Sequence, residues 1–222
     1  MSLHEQHIAI VDNAAEYADV EGLRILVPRG VYHPHEWSST RLMLSALQAA
    51  ALPEVAGLDV LEIGGGSGAL ALAIKRRGAA KVVATDISER ACAAMECNAL
   101  LNRLDLDVRQ GDMFAPLQGA NPLQGASPLQ DGERFDLVIF NLPLMDKPIV
   151  HPAEVALCDP SGELLTRFLQ GLPKVTTPGG TALFTHADLS APLPPCTSGQ
   201  IQPVAETRRD GGEIFRILRW RP

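Results

Sequence analysis

A chain of 222 residues with 46% hydrophobic content is long enough to bury one full core, and its net charge of −7 weighs against a partner held by phosphate contacts. No apolar run is long enough to cross a bilayer, and the start M-S-L-H-E-Q-H lacks the basic-then-apolar order of a signal peptide. A cytoplasmic protein without membrane contact is therefore expected. Cys92, Cys97, Cys158 and Cys196 form no C-x-x-C pair and match no histidine spacing, so they read as thiols in a reducing compartment and no metal is expected.

In chain order, the first thirty residues read as a short cap and a hairpin, with E-G-L-R-I-L-V-P alternating and R-G turning into V-Y-H-P. Residues 38–51 carry helical spacing at Leu42, Met43, Leu47 and Ala50, behind a Ser/Thr-rich start and ahead of Pro53. The core opens with V-L-E-I at 60–63, a short buried strand running into G-G-G-S-G. A helix with Leu70, Leu72 and Ile74 follows and ends at Gly78, then K-V-V-A-T-D makes a second strand ending at Asp86. Ser88 caps the next helix, L-D-V-R-Q-G-D forms a third strand and F-D-L-V-I-F-N-L a fourth. Leu164, Leu165, Phe168, Leu169 and Leu172 line one side of a helix after Ser161, and T-A-L-F-T-H is a fifth strand behind Pro178-Gly179-Gly180. Two strands around D-G-G close the chain as an antiparallel hairpin.

The fold class is therefore α/β: a single doubly wound, Rossmann-like sheet, mostly parallel, with one reversed edge strand and a C-terminal antiparallel hairpin. Residues 1–53 are expected as cap, hairpin and lead-in helix on a core at 54–222, one domain overall. The core carries an imperfect P-L-Q-G-A-N repeat in the loop at 116–133, read as a tolerated insertion or as a lid.

The glycine run carries the chemistry. Gly64, Gly66 and Gly68 leave backbone N–H groups open to a ligand at a strand-to-helix turn. Their G-x-G-x-G spacing is not the G-x-G-x-x-G of a dinucleotide site, and no Lys-Ser/Thr follows as in a phosphate-cradling loop. Glu62 stands where a phosphate would need a donor, so the loop suits a nucleoside bearing a positive or neutral group. Asp86, at the tip of the second strand, is placed to grip ribose hydroxyls.

These residues resemble the class I S-adenosylmethionine-dependent methyltransferases. V-L-E-I-G-G-G-S-G matches their first motif, Asp86 their ribose-binding acid, and G-D-M-F at 111–114 the segment beside the adenine. Within that group the chain resembles the small, single-domain HemK-like glutamine methyltransferases. The resemblance rests on G-V-Y-H-P-H-E-W-S-S at 30–39, C-N-A-L-L-N at 97–102, F-D-L-V-I-F-N-L-P-L at 135–144 and the closing hairpin. It implies S-adenosylmethionine as cofactor, held by Tyr32, Glu62, Gly64, Gly66 and Gly68 on one side. Asp86, Ile87, Asp112, Met113 and Asn141 complete the expected contacts. The family's Asn-Pro-Pro-Tyr is here Asn141-Leu142-Pro143-Leu144, which keeps the amide and loses the aromatic face.

Transfer from a sulfonium is an in-line displacement governed by alignment. By the resemblance, Asn141 and the carbonyl of Leu142 accept hydrogen bonds from an NH₂ group and aim its lone pair at the methyl. Trp37, Pro143 and Leu144 are the expected acceptor contacts. His33, His35, Glu36, His151 and His186 are the candidate bases. The expected function is methyl transfer to a nitrogen of a small molecule or of a protein side-chain amide. Adenine methylation of RNA or DNA, O-methylation of a small acceptor and a non-catalytic scaffold are the alternatives. Oligomeric state is not legible.

Overall fold

The computed structural model describes residues 3–13, 15–48, 54–117, 132–196, 198–209 and 211–222. The chain begins with helix α1 (Leu3–Asp12) and a separate hairpin, β1 (Glu16–Val20) and β2 (Leu23–Val27), paired antiparallel. Its turn is Glu21-Gly22, both at positive φ (53° and 77°), a two-residue turn whose twist matches that of the flanking strands. The hairpin thus closes earlier than the sequence reading placed it, and V-Y-H-P is not a strand. Asp19 Oδ1 accepts from the Gly22 N–H at 3.0 Å, which lets a Glu tolerate the left-handed position beside glycine.

Helix α2 (Ser39–Ala46) starts at Ser38, whose hydroxyl accepts from the Arg41 N–H at 3.3 Å. The expected helix ran to residue 51; it ends at Ala46, and residues 49–51 lie outside the described ones. The alternating core then follows the expected order: β3 (Asp59–Ile63), α3 (Ala69–Arg76), β4 (Lys81–Asp86), α4 (Glu89–Asn102), β5 (Asp107–Gln110), β6 (Phe135–Phe140) and α5 (Glu163–Val175). Three strands complete it: β7 (Thr176–Ala187), β8 (Gln200–Arg208) and β9 (Ile214–Arg221). Most of the hexapeptide repeat at 116–133 falls on 118–131, outside the described residues.

The large sheet has seven strands in the order β5-β4-β3-β6-β7-β9-β8. The first five run parallel, and β9 pairs antiparallel with both β7 and β8. The reversed strand is therefore β9, second from the edge, and the edge itself is β8. Placing β9 inside lets Ile217, Leu218 and Trp220 stay buried while the edge strand β8 presents mostly half-buried or exposed residues.

Helices cover both faces. On one, α2, α3 and α4 pack with the small hairpin over Val60, Val82, Ala84, Leu137 and Ile139. On the other, α5 brings Phe168 edge-on to Phe140 and Phe184, at 5.4 and 5.6 Å between ring centres. The chain winds outward from β3 through β4 to β5, then reverses to β6 and β7. The crevice of a doubly wound sheet opens at that reversal, beyond the carboxyl ends of the strands.

Candidate functional site

A cavity of about 610 Å³ occupies that crevice. Its floor is the glycine loop after β3. Gly64 and Gly66 sit at φ 66° and 57°, a turn that side chains resist, and the Gly66 N–H donates to Asp86 Oδ2 at 2.9 Å. Asp86 Oδ1 accepts from the Ser88 N–H at 2.9 Å, so its carboxylate is fixed between the loop and the start of α4. Burial raises its pKa against these hydrogen bonds. Gly65, which the spacing argument passed over, is held by packing: a Cβ there would lie 2.5 Å from Met95 Sδ. Gly68 does not line the cavity; it starts α3 at φ 77° and faces Met95.

Glu62 projects from β3 into the same wall and is 2% exposed. Its carboxylate accepts one backbone hydrogen bond, from Ala71, while Oε2 is buried without a partner among the described residues. Burial, and then the nearby Asp86, push its pKa well above the ordinary carboxylate range. A buried carboxylate oxygen lacking a donor is a place for a cation. That fits a nucleoside carrying a sulfonium and an ammonium group.

Ile87, Asp112 and Met113 line the cavity at the ends of β4 and β5. Asp112 pairs with Arg167 of α5 at 2.5 Å, and the Met113 carbonyl accepts from the Thr85 hydroxyl at 3.1 Å. Tyr32 lies on the opposite wall, with its hydroxyl 3.3 Å from His35 Nε2.

At the end of β6 the Asn141 amide is held by one edge: Nδ2 donates to Thr40 Oγ1 at 3.2 Å. Asn141 lines the cavity, and its Oδ1 is buried with no partner among the described residues. The Leu142 carbonyl, expected to be a second free acceptor, takes the Thr185 hydroxyl at 3.2 Å, which leaves it one lone pair. Leu142, Pro143 and Leu144 all line the cavity, and the Leu144 carbonyl is tied to Ser190 Oγ at 2.9 Å. Trp37 is 72% exposed, lines the mouth, and its carbonyl accepts from Arg209.

None of His33, His35, Glu36, His151 and His186 is among the cavity walls. His33 faces Glu16 at 3.3 Å, His151 caps the turn at 152–156, and His186 lies 3.1 Å from the Ala191 carbonyl. The imidazole in the wall is His7 of α1, kept neutral by burial and by the Arg209 cation. Thr40, Met145, Arg209 and Phe215 also line the cavity and were not singled out from the sequence. They come from distant segments and share no local motif.

The family model of ribosomal protein L11 methyltransferase (PrmA) matches residues 34–154. A protein of Methanocaldococcus jannaschii, named provisionally as a protein N5-glutamine methyltransferase, is 28% identical over 178 residues, 78% of this chain and 80% of its own. The ribosomal protein L11 methyltransferase of Caldicellulosiruptor saccharolyticus is 31% identical over 138 residues. That match takes in 61% of this chain and 40% of the longer relative. Among solved structures, the Thermus thermophilus 16S rRNA N2 G1207 methyltransferase, in complex with AdoMet and guanosine, superposes with a TM-score of 0.64 at 20% identity. It covers 93% of this chain and 49% of that one, a likeness of fold.

Proposed function

The chain belongs to the ribosomal protein L11 methyltransferase (PrmA) family and is an S-adenosylmethionine-dependent methyltransferase, and from that premise we propose that it methylates an amide or amine nitrogen held by Asn141. The observation that carries this reading is the Asn141 Oδ1, buried and without a partner among the described residues, with its amide held by Thr40. An acceptor-only oxygen at that point takes a donor, and with the Leu142 carbonyl beside it the pair suits a group with two hydrogens to give, an NH₂.

When bound, S-adenosylmethionine supplies an electrophilic methyl on a sulfonium. We assign its cationic end to Glu62 and the glycine loop, its ribose to Asp86, and its adenine to Ile87, Asp112 and Met113, with Tyr32 closing the opposite side. Asn141 Oδ1 and the remaining lone pair of the Leu142 carbonyl then hold the two N–H bonds of the acceptor. This concentrates the nitrogen lone pair toward the methyl and aligns the displacement. His7, neutral in the same wall, is the group assigned to receive the proton that the nitrogen must shed.

A glutamine-type side-chain amide is the acceptor class that this arrangement suits, and the name of the archaeal relative agrees with it. So does the resemblance to the HemK-like enzymes. Leu144 leaves the planar face of such an amide uncovered where those enzymes carry an aromatic ring. Trp37 and Phe215, which also line the cavity, are proposed to cover it. The acceptor is taken to be a protein side chain or a small molecule bearing the same group, and the oligomeric state is left open.

The test combines calorimetry with transfer of labelled methyl to glutamine-containing peptides. S-adenosylhomocysteine should bind, and Asn141→Ala should retain that binding while losing roughly 10²–10³ in kcat. Unchanged turnover in Asn141→Ala would remove the amide-holding mechanism. Transfer to RNA that falls steeply with salt would replace the peptide acceptor with a nucleic acid.

A further inference from the structure

A second cluster of chemically active side chains sits behind the acceptor end of the cavity, and it takes no part in methyl transfer as derived above. His4 of α1, Glu154 in the turn at 152–156 and Cys158 each present one donor atom within 4.8 Å of the other two. We propose that these three residues form a binding site for a single divalent metal ion of the zinc type, which fastens α1 over the acceptor end.

The backbone fixes two of the donors independently of any ion. Glu154 Oε2 accepts from the Val150 and His151 N–H groups, both at 2.7 Å, so the carboxylate cannot turn and its Oε1 is aimed at His4. Cys158 stands beside Met145 in a short parallel bridge. The Met145 N–H donates to Leu157 at 3.0 Å, and the Asp159 N–H to Met145 at 2.9 Å. Glu154 is 3% exposed and Cys158 1%.

His4 completes the set with a defined ring orientation. Its Nε2 lies 2.8 Å from Glu154 Oε1, and its Nδ1 3.1 Å from Met145 Sδ. Without an ion the Nε2–H donates to Glu154 Oε1; a metal ion bound by Nε2 takes the place of that proton, with the Nδ1–H turned toward the thioether. The Met145 sulfur, a weak acceptor, then stands where ligating imidazoles usually have a carboxylate, carbonyl or water.

The donor set of one nitrogen, one oxygen and one sulfur matches zinc better than magnesium or calcium, which take oxygen ligands. Tetrahedral bonds of about 2.0–2.3 Å set donors about 3.3–3.8 Å apart, so Nε2 and Oε1 open from 2.8 Å while all three atoms already lie within 4.8 Å of one another. Three protein ligands leave a fourth position for water. Met145 and Cys158 line the cavity wall, and His7 lies one turn along α1 from His4. A metal at His4 would therefore hold His7 in place.

The sequence offered no sign of this site, because its ligands lie at positions 4, 154 and 158 with no short Cys/His spacing. Cobalt(II) titration of the full chain, with Cys97 and Cys196 replaced by serine, is the test. One ion per chain, with a sulfur-to-metal absorption band in the near ultraviolet, is the expected result. Zinc should displace the cobalt and raise the melting temperature. Cys158→Ser should abolish the band, and His4→Ala should weaken cobalt binding by at least about tenfold. Absence of saturable binding, or a band undiminished in Cys158→Ser, overturns the proposal. Should Cys158→Ser not fold, His4→Ala decides alone: unchanged affinity in that variant overturns the site equally.

Discussion

Two side chains in the cavity wall each keep a buried oxygen that has no partner among the described residues. Asn141 wants a donor at Oδ1, and Glu62 wants a cation or a donor at Oε2. Glu62 has a sign that can be measured. Its folded pKa is raised above the unfolded value by burial. Its contribution to stability is thus fully present below the ordinary carboxylate range and is lost as pH rises through the folded value. Binding of a cationic ligand runs the other way, because it needs the ionised carboxylate. Affinity for S-adenosylmethionine should therefore climb with pH above the ordinary carboxylate range and level off once Glu62 is ionised. Glu62→Gln should flatten that slope and weaken binding, while raising the melting temperature of the ligand-free protein at neutral pH. Calorimetry across pH, with a thermal melt of each variant, checks both; an affinity profile unchanged in Glu62→Gln would remove the role given to this residue.

At the scale of elements, helix α4 braces the glycine loop to the small hairpin. Asn98 is fully buried and acts as a strand residue would: its Oδ1 accepts from the Leu26 N–H and its Nδ2 donates to the Leu26 carbonyl, both at 2.8 Å. The same Nδ2 donates to Ser67 of the loop at 2.9 Å. One turn on, Asn102 repeats the pattern with Arg24, at 3.0 and 2.9 Å. The two amides thus pair with alternate residues of β2. Asn98→Ala leaves three backbone groups without their partner, the Ser67 carbonyl buried and the two of Leu26 partly so, at a cost of about 2–3 kcal/mol, and should loosen the loop that carries Ser67. Asn102→Ala, at an exposed edge, should cost about 1 kcal/mol or less. Urea unfolding of both variants tests the ranking, and equal losses would mean that the brace is not what holds the loop. C-N-A-L-L-N was visible in the sequence as part of a resemblance. Its mechanics were not, because the partner strand lies over seventy residues away. The helices and strands from β3 to β6 were legible because each carries its own period and cap within a dozen residues. Helix α1 and the Glu21-Gly22 turn were missed, since α1 is short and its apolar residues Ile8 and Val11 find their partners in a distant segment.

The whole molecule divides by how its cavity is assembled. The cofactor half comes from consecutive strand ends in one βαβ run, so the chain order announces it: Glu62, Gly64, Gly66 and Asp86 lie within 25 positions. The acceptor half is gathered from α1, the 30–40 loop, the end of β6 and the turn before β9, and no local pattern records that meeting. Asn141 to Leu144, with Trp37, were the part of that half readable in advance, through a motif at the end of a core strand and one ahead of the first core helix. The division predicts that the halves separate experimentally. Helix α1 seats Val11 on Met145 and Leu157, its carbonyl accepts from the Gly30 N–H at 2.8 Å, and it brings His7 to the wall. Removing residues 1–13 strips that seat, at about 2 kcal/mol for Val11 alone, and uncovers the acceptor end while the loop, Glu62 and Asp86 keep their bonds. S-adenosylhomocysteine binding by calorimetry should be little changed and methyl transfer largely lost. His7→Asn in the full chain should lower kcat without altering that binding. A truncated protein that loses cofactor and turnover together would mean that α1 supports the whole crevice, and the acceptor half would then have no separate existence.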